Sequence, residues 1–527
     1  MQKLLLLGDE AIAQGALDAG MSGIYAYPGT PSTEITEYVQ NNKFAKEKGI
    51  HSDWSANEKT AMETALGMSY AGKRTMVCMK HVGLNVAADA FVNSSITGIN
   101  GGLIVTVADD PSMHSSQNEQ DSRFFGKFAM IPILEPSNQQ EAYDMAYSAF
   151  ELSEKYSIPV MIRITTRLAH SRSGVERKVQ KPQNQLILPK DPHQFVLLPS
   201  IARVRYKTLL NNQVDFLDES ENSEFNQYIQ GNDNSLGIIA CGLAYNYLVE
   251  NFENQKVPYS VLKISQYPVP KSKIEKLIKE NKKVLILEDG YPIVEEEIKG
   301  LLGNPDILGR IDGTLPRDGE LNPNIVAKAL GIKEIFGNEI PNIVNNRPPA
   351  MCKGCGHIDV YNAMNEVLTA YLPGRVFSDI GCYTLGALEP FNAIYSCVDM
   401  GASVTMAKGA ADAGLFPSVA VIGDSTFTHS GITGLLDAVV ENSPITVIIS
   451  DNSTTGMTGG QKSHAFGRLY DICKGIGVPE EHIRMLIPLR KNHEEMKKVM
   501  KEEFEYKGVS VIIAQRECIQ TAIKSKN

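Results

Sequence analysis

Val419-Ala420-Val421-Ile422-Gly423-Asp424-Ser425 is a compact apolar run that ends on a carboxylate. Read as a parallel strand, it leaves Asp424 at the carboxyl end, where open α/β sheets bind their ligands. A second apolar run, Thr446–Ser450, ends in Asp451-Asn452-Ser453-Thr454. Two neighbouring strand tips of this kind offer one hard cation a carboxylate from Asp424, an amide oxygen from Asn452 and a backbone carbonyl from Thr454. That donor set suits an octahedral Mg²⁺ that takes further ligands from a diphosphate. Downstream, Gly456-Met457-Thr458-Gly459-Gly460-Gln461 supplies flexible backbone able to approach a ligand closely. Taken singly, Asp424 and Asn452 read better as ordinary strand-end turn residues. The pair at this spacing, with the glycine-rich segment behind it, favours the ion site.

The α/β alternation extends outward from this pair. The region that holds it begins at Cys352, with strands expected near Val376–Ser378, Val419–Ile422 and Ile445–Ser450. Gly337–Pro349, which contains Pro341, Pro348 and Pro349, reads as a boundary. Upstream lie expected strands near Leu236–Cys241, Tyr259–Ile264 and Lys283–Leu287, with helices near Ser272–Asn281 and Ile293–Leu302. Residues 213–235 are polar and weakly patterned, so an exposed loop or linker is expected there. From residue 1 to about 185, short β-branched runs (Ile24–Tyr27, Arg74–Met79, Leu103–Ala108, Pro159–Ile164) alternate with helical stretches such as Gln139–Lys155. This is the pattern of βαβ units on a parallel sheet. The expectation is three parallel-sheet α/β domains, residues 1–190, 191–336 and 337–527.

The 527 residues match that number at a prior of roughly 150 residues per domain. Hydrophobic residues at 43% and charged residues at 21% are those of a soluble globular chain with buried cores. A formal charge of −10 without clustered Lys and Arg argues against a nucleic-acid surface. No apolar run reaches the roughly 20 residues that span a bilayer, and the apolar start gives way to Gly8-Asp9-Glu10 too early for a signal peptide. A cytoplasmic protein is expected. Eight cysteines are too few for a disulfide scaffold, and only Cys352 and Cys355 have the Cys-x-x-Cys spacing that lets two sulfurs converge.

The strand-tip spacing matches the Gly-Asp-Gly…Asn pattern of thiamine diphosphate enzymes, with Ser425 in place of the usual second Gly. Further motifs run through the chain: Tyr27-Pro28-Gly29-Thr30-Pro31-Ser32-Thr33-Glu34, Trp54-Ser55-Ala56-Asn57-Glu58-Lys59, Lys80–Asp89, Cys352-Lys353-Gly354-Cys355-Gly356-His357 and Ser378–Gly386. On these, the chain resembles the α subunits of indolepyruvate:ferredoxin oxidoreductases, within the wider 2-oxoacid:ferredoxin oxidoreductases. The resemblance implies a pyruvate:ferredoxin oxidoreductase-like architecture. In it, 1–190 binds the pyrimidine, 191–336 is a middle transketolase-C-terminal-like domain, and 337–527 binds diphosphate and Mg²⁺.

It also implies oxidative decarboxylation of an aryl 2-oxoacid to an acyl-CoA, with electrons passing to ferredoxin. Glu58 corresponds to the glutamate that hydrogen-bonds the aminopyrimidine. Thr30 corresponds to the threonine that holds the substrate carboxylate, although capping a helix that starts near Pro31 is a compatible plainer role. Lys80 and His81 would face the same cleft, for a carboxylate or a CoA phosphate, or serve structure alone. Cofactor contacts fall on Cys352, Cys355, Gly356, His357, Cys382, Tyr383, Gly423, Asp424, Ser425, Asn452, Met457 and Thr458.

In related 2-oxoacid oxidoreductases, four cysteines at places corresponding to Cys352, Cys355, Cys382 and Cys518 hold a [4Fe–4S] cluster, which needs four thiolates. Zinc or a set of buried thiols are the alternatives. The long form of the subunit carries a ferredoxin-like domain with two Cys-x-x-Cys-x-x-Cys-x-x-x-Cys runs, and no such run occurs before Asn527. Electrons would then leave through an internal cluster, a partner chain or a docked low-potential acceptor. A smaller β subunit and dimer formation are expected companions. A non-oxidative thiamine diphosphate decarboxylase or carboligase is the competing reading, and a non-catalytic cofactor-binding subunit a third.

Overall fold

The structure is a computed structural model that describes residues 3–189, 195–196, 198–300, 303–337, 341–344, 350–397 and 399–524. Much of the expected boundary 337–349 and the end of the expected helix Ile293–Leu302 lie outside them. The chain divides into two compact units, Met1–Glu339 and Ile340–Asn527.

The first unit carries a seven-stranded sheet in the order Gln266–Tyr267, Ile133–Leu134, Val160–Thr165, Leu103–Asp109, Thr75–Lys80, Gly23–Ala26, His51–Trp54. Only Gln266–Tyr267 runs antiparallel to its neighbour. Thr75–Lys80, Leu103–Asp109 and Val160–Thr165 are almost wholly buried. Their near-continuous apolar runs are what a sheet covered on both faces requires. A five-stranded sheet follows, ordered Ile307–Leu308, Val284–Leu287, Asp233–Cys241, Tyr259–Ile264, Gln227–Ile229, with the last strand antiparallel.

Buried charges tie these two sheets together. Arg163, on Val160–Thr165, donates through Nε to Asp109 at 2.6 Å and through Nη2 to the Asp289 carbonyl at 2.8 Å, and it also pairs with Glu135. Arg123 pairs with Asp121 at 2.5 Å and Glu288 at 3.0 Å, and both arginines are fully buried. Charges withdrawn from water persist only when paired and hydrogen-bonded in this way.

Residues 213–235 are not a linker. They complete the helix Pro199–Asn222, supply the strand Gln227–Ile229 and begin the strand Asp233–Cys241. The helix buries only Leu209, Phe216 and Ser220, so one narrow apolar stripe is all its sequence shows. Asn226 then fastens the turn. Its Oδ1 accepts from the backbone amides of Ser265 and Gln266 at 2.7 and 2.9 Å.

The second unit is built on a wholly parallel five-stranded sheet, ordered Val376–Ser378, Ser418–Gly423, Ile445–Asp451, Ser510–Gln515, Ile483–Leu486. Its register sets Gly423 opposite Ser450 and Asp451 opposite Gln515. The carboxyl tips of adjacent strands therefore lie side by side. Among the described residues no helix is long and apolar enough to cross a membrane.

Candidate active site

In the first unit, segments far apart in sequence converge on Glu58. Asn57 caps the helix Glu58–Tyr70 by accepting from the Thr60 amide at 2.8 Å, and this fixes Glu58 in the first turn, where it is 4% exposed. The helix His81–Thr97 passes so close that a Cβ added at Gly83 would lie 2.5 Å from Glu58 Oε1. Lys80, at the end of Thr75–Lys80, runs its stem over Gly29, 3.4 Å from where a Cβ would stand, and donates to the Ser115 carbonyl at 3.1 Å. Burial lowers its pKa, against the pull of Asp110 and Glu58. Ser115 Oγ in turn donates to the Thr30 carbonyl at 3.2 Å. Thr30, Lys80 and Glu58 thus belong to one connected group.

The helix after Thr30 begins at Thr33, close to Pro31 as expected, with Ser32 and not Thr30 at its N-cap, and the turn is closed by other side chains. Thr33 Oγ1 accepts from the Gly29 amide at 3.1 Å, and Ser32 Oγ donates to the Gly29 carbonyl at 2.8 Å. His81 is 1% exposed, with neither ring nitrogen hydrogen-bonded, and its electrostatic neighbour is Asp109.

In the second unit, Asp424 follows Gly423 directly and is 2% exposed. Burial first, and the charge of Asp451 second, push its carboxyl up to about 7. The Ser463 side chain and the backbone of Ser425 and Asn452 bond to it. Asp424 Oδ2 nevertheless has no partner. Asn452 Oδ1 accepts from the Thr454 amide at 3.1 Å, Thr454 Oγ1 donates to the Gln461 carbonyl at 2.8 Å, and Ser425 Oγ stands 3.0 Å from Thr455 Oγ1. Asp424 and the Asn452–Thr455 segment therefore meet at one pair of strand tips. A buried carboxylate oxygen left bare at such a place has the character of an ion ligand. Thr458 bonds to Gln461, and Met457 is 61% exposed.

Tyr383 braces this edge. Its ring lies where a Cβ at Gly381 or Gly423 would stand, 2.3 and 2.6 Å from Cε1, so both positions admit only glycine. Its hydroxyl donates to Asp379, which also accepts from the Ser403 amide at 3.2 Å. Burial raises Asp379 to about 6. His357, at the start of the helix Gly356–Leu368, packs edge-on to Tyr383 at 6.2 Å, and burial lowers it to about 4, which keeps it neutral at pH 7.

Cys352, Cys355, Cys382 and Cys518 all line one pocket of about 130 Å³, together with Asn452 and Arg516. The Cys352–Cys355 turn is closed by the Cys355 amide donating to the Cys352 carbonyl at 2.9 Å, with Gly354 at φ +83°, a value that suits glycine. Cys382 lies against Gly456, and Cys518 is held by its amide donating to the Asn452 carbonyl at 3.0 Å. Burial pushes the Cys382 thiol up to about 12, and the other three sulfurs add to the shift. Among the described residues no three of these sulfurs lie within 4.8 Å of one another. A single tetrahedral zinc with Zn–S near 2.3 Å would need sulfurs about 3.8 Å apart. Asp379 and Asp451 lie inside the quoted motifs with no role assigned to them, and Ser463 and Arg516 fall outside those motifs. The signal for the first two is that each follows or ends a parallel strand.

The family described as "Pyruvate flavodoxin/ferredoxin oxidoreductase, thiamine diP-bdg" matches residues 14–216. That described as "Thiamine pyrophosphate enzyme, C-terminal TPP binding domain" matches residues 379–514. The two domains define a thiamine diphosphate enzyme. The chain is 39% identical to indolepyruvate oxidoreductase subunit IorA of Archaeoglobus fulgidus, over 98% of this chain and 86% of that one. It is 38% identical to the IorA subunit of Pyrococcus abyssi, over 98% and 86%. A 2-oxoglutarate:ferredoxin oxidoreductase from Magnetococcus marinus, solved with 2-oxoglutarate, coenzyme A and succinyl-CoA bound, shares the fold. Its TM-score is 0.51, with 16% identity over 62% of this chain and 65% of that one. The chain belongs to the indolepyruvate oxidoreductase IorA family.

Proposed function

We propose that this chain is the catalytic subunit of an enzyme that oxidatively decarboxylates an aryl 2-oxoacid of the indolepyruvate type to its acyl-CoA, passing electrons to ferredoxin or another low-potential acceptor. The observation that carries this reading is the four-thiol pocket beside the Asp424–Asn452 strand tips, since a simple decarboxylase needs no electron outlet. The IorA relatives, named as oxidoreductases, support the same side.

The bare Asp424 Oδ2 is the feature that fits Mg²⁺, and Asp424, Asn452 and Thr454 would hold it together with the diphosphate. Thiamine diphosphate, when bound, supplies the electron sink that makes decarboxylation feasible. Glu58 holds and returns a proton at the aminopyrimidine, from a site dry enough for one carboxyl proton to matter. Thr30 orients the substrate carboxylate, and Lys80 offsets its charge. His81 serves as a positioning or proton-holding group beside them. Tyr383 and His357 exclude water from the strand-tip edge. Cys352, Cys355, Cys382 and Cys518 would ligate a [4Fe–4S] cluster, whose chemistry is one-electron transfer.

A smaller β subunit completes the assembly in this reading. Supplied with that partner, indolepyruvate and coenzyme A under anaerobic conditions, the holoenzyme should reduce a viologen dye. Aldehyde release with no dye reduction would refute the oxidative reading while leaving cofactor binding intact.

A further inference from the structure

Asp9 lies in the first turn of the helix Gly8–Asp18, is completely buried, and has no hydrogen-bond partner for either carboxylate oxygen. Its neighbour Glu10 is occupied elsewhere, accepting from the Leu7 amide at 2.8 Å. Facing Asp9 are Glu34, in the helix Thr33–Asn41, and His170, just after the helix Thr166–Ala169. One ligand atom from each of the three lies within 4.8 Å of the others, and His170 Nε2 stands 3.5 Å from Glu34 Oε2. Both of these side chains are 35% exposed, so the cluster is closed at Asp9 and open to water at His170.

A buried carboxylate that bonds to nothing is costly unless a proton or a cation neutralises it, and two further ligand groups stand beside this one. Two carboxylates and one imidazole, with room for water on the open side, form the donor set of a first-row divalent ion such as Mn²⁺ or Zn²⁺. From this geometry we infer that Asp9, Glu34 and His170 bind a divalent transition-metal ion at a site separate from the Asp424 strand tips. The ion would join three segments of the first unit. One of them is the helix that follows the Thr30 turn.

The test uses the full-length chain carrying Asp424→Ala, stripped with chelator and free of thiamine diphosphate, so that the strand-tip site is silent. Mn²⁺ is the probe, because it binds thiols poorly and leaves the cysteine pocket unlabelled. Loss of the free-ion electron paramagnetic resonance signal should report one Mn²⁺ per chain, and the ion should raise the thermal midpoint. Adding His170→Gln, a half-exposed change that leaves the core untouched, should weaken binding by more than about tenfold and remove the thermal shift. Asp9→Asn should do the same. Three results would each overturn the inference. They are no Mn²⁺ uptake at millimolar concentration, uptake unchanged by His170→Gln, or a rise in thermal midpoint from Asp9→Asn without uptake by the parent, which would mark Asp9 as a neutral acid.

Discussion

Gly83→Ala perturbs Glu58 without touching it directly. The new methyl group would stand 2.5 Å from Glu58 Oε1 and 2.8 Å from Cδ, whereas ordinary contact begins near 3.4 Å. The carboxyl must retreat by the difference, about 0.9 Å, because Gly83 is fixed in the backbone of the helix His81–Thr97. A misplacement of about 1 Å in a catalytic group costs roughly a hundredfold in rate, or about 2.7 kcal/mol. Stability moves little. Alanine gains about 1 kcal/mol over glycine in a helix, which offsets much of the roughly 1–3 kcal/mol cost of crowding. The expected result is a kcat about a hundredfold lower, with the thermal midpoint and thiamine diphosphate uptake nearly unchanged. The assay is anaerobic dye reduction, paired with deuterium exchange at C2 of the bound cofactor. In the double variant with Glu58→Gln, the loss should equal that of Glu58→Gln alone, since both changes act on one group. Retention of wild-type C2 exchange by Gly83→Ala, or an additive loss in the double variant, would refute the role given to Glu58.

Because burial holds Asp424 up to about 7, uptake of Mg²⁺ and thiamine diphosphate should weaken about tenfold per pH unit below 7 and level off above it, as read by cofactor titration. The same raised value makes the cofactor-free fold less stable as pH climbs from about 4 to 7, because the folded state keeps a proton that the unfolded state releases. Asp424→Asn should flatten that slope in thermal melts. Cys382→Ser should cut the iron and sulfide bound after anaerobic reconstitution from roughly four of each per chain and lower dye reduction. Arg163→Met strands buried Asp109 without its cation and leaves Asp121 and Glu135 to Arg123 alone, and it should cost about 3–5 kcal/mol in urea unfolding.

What the sequence made legible follows from range. The strands Leu103–Asp109, Ser418–Gly423 and Ile445–Asp451 are near-continuous apolar runs, the form a parallel strand covered on both faces takes. The helix Pro199–Asn222 was illegible for the opposite reason. Its three buried side chains are diluted among exposed polar ones, and its partners, such as Tyr156 edge-on to Phe216 at 5.1 Å, come from distant segments. The buried network around Arg163 and Arg123 was equally hidden, because each charge, taken in its own segment, looks like a solvated one.

The second-unit site lies between these cases, and sheet order explains it. Cys382, Asp424, Asn452 and Cys518 each follow, within a few residues, the carboxyl end of a parallel strand: Val376–Ser378, Ser418–Gly423, Ile445–Asp451 and Ser510–Gln515. These four strands are consecutive neighbours in the sheet. Once the runs are read as parallel strands, everything just past their ends must gather along one edge, so two sulfurs and two ion-ligand candidates converge with no local signal linking them. Cys352 and Cys355 join from outside the sheet, on the turn before the helix Gly356–Leu368. Their own spacing brings that pair together, and the packing of Gly354 against Ile519 and of Gly356 against Arg516 sets it beside Cys518.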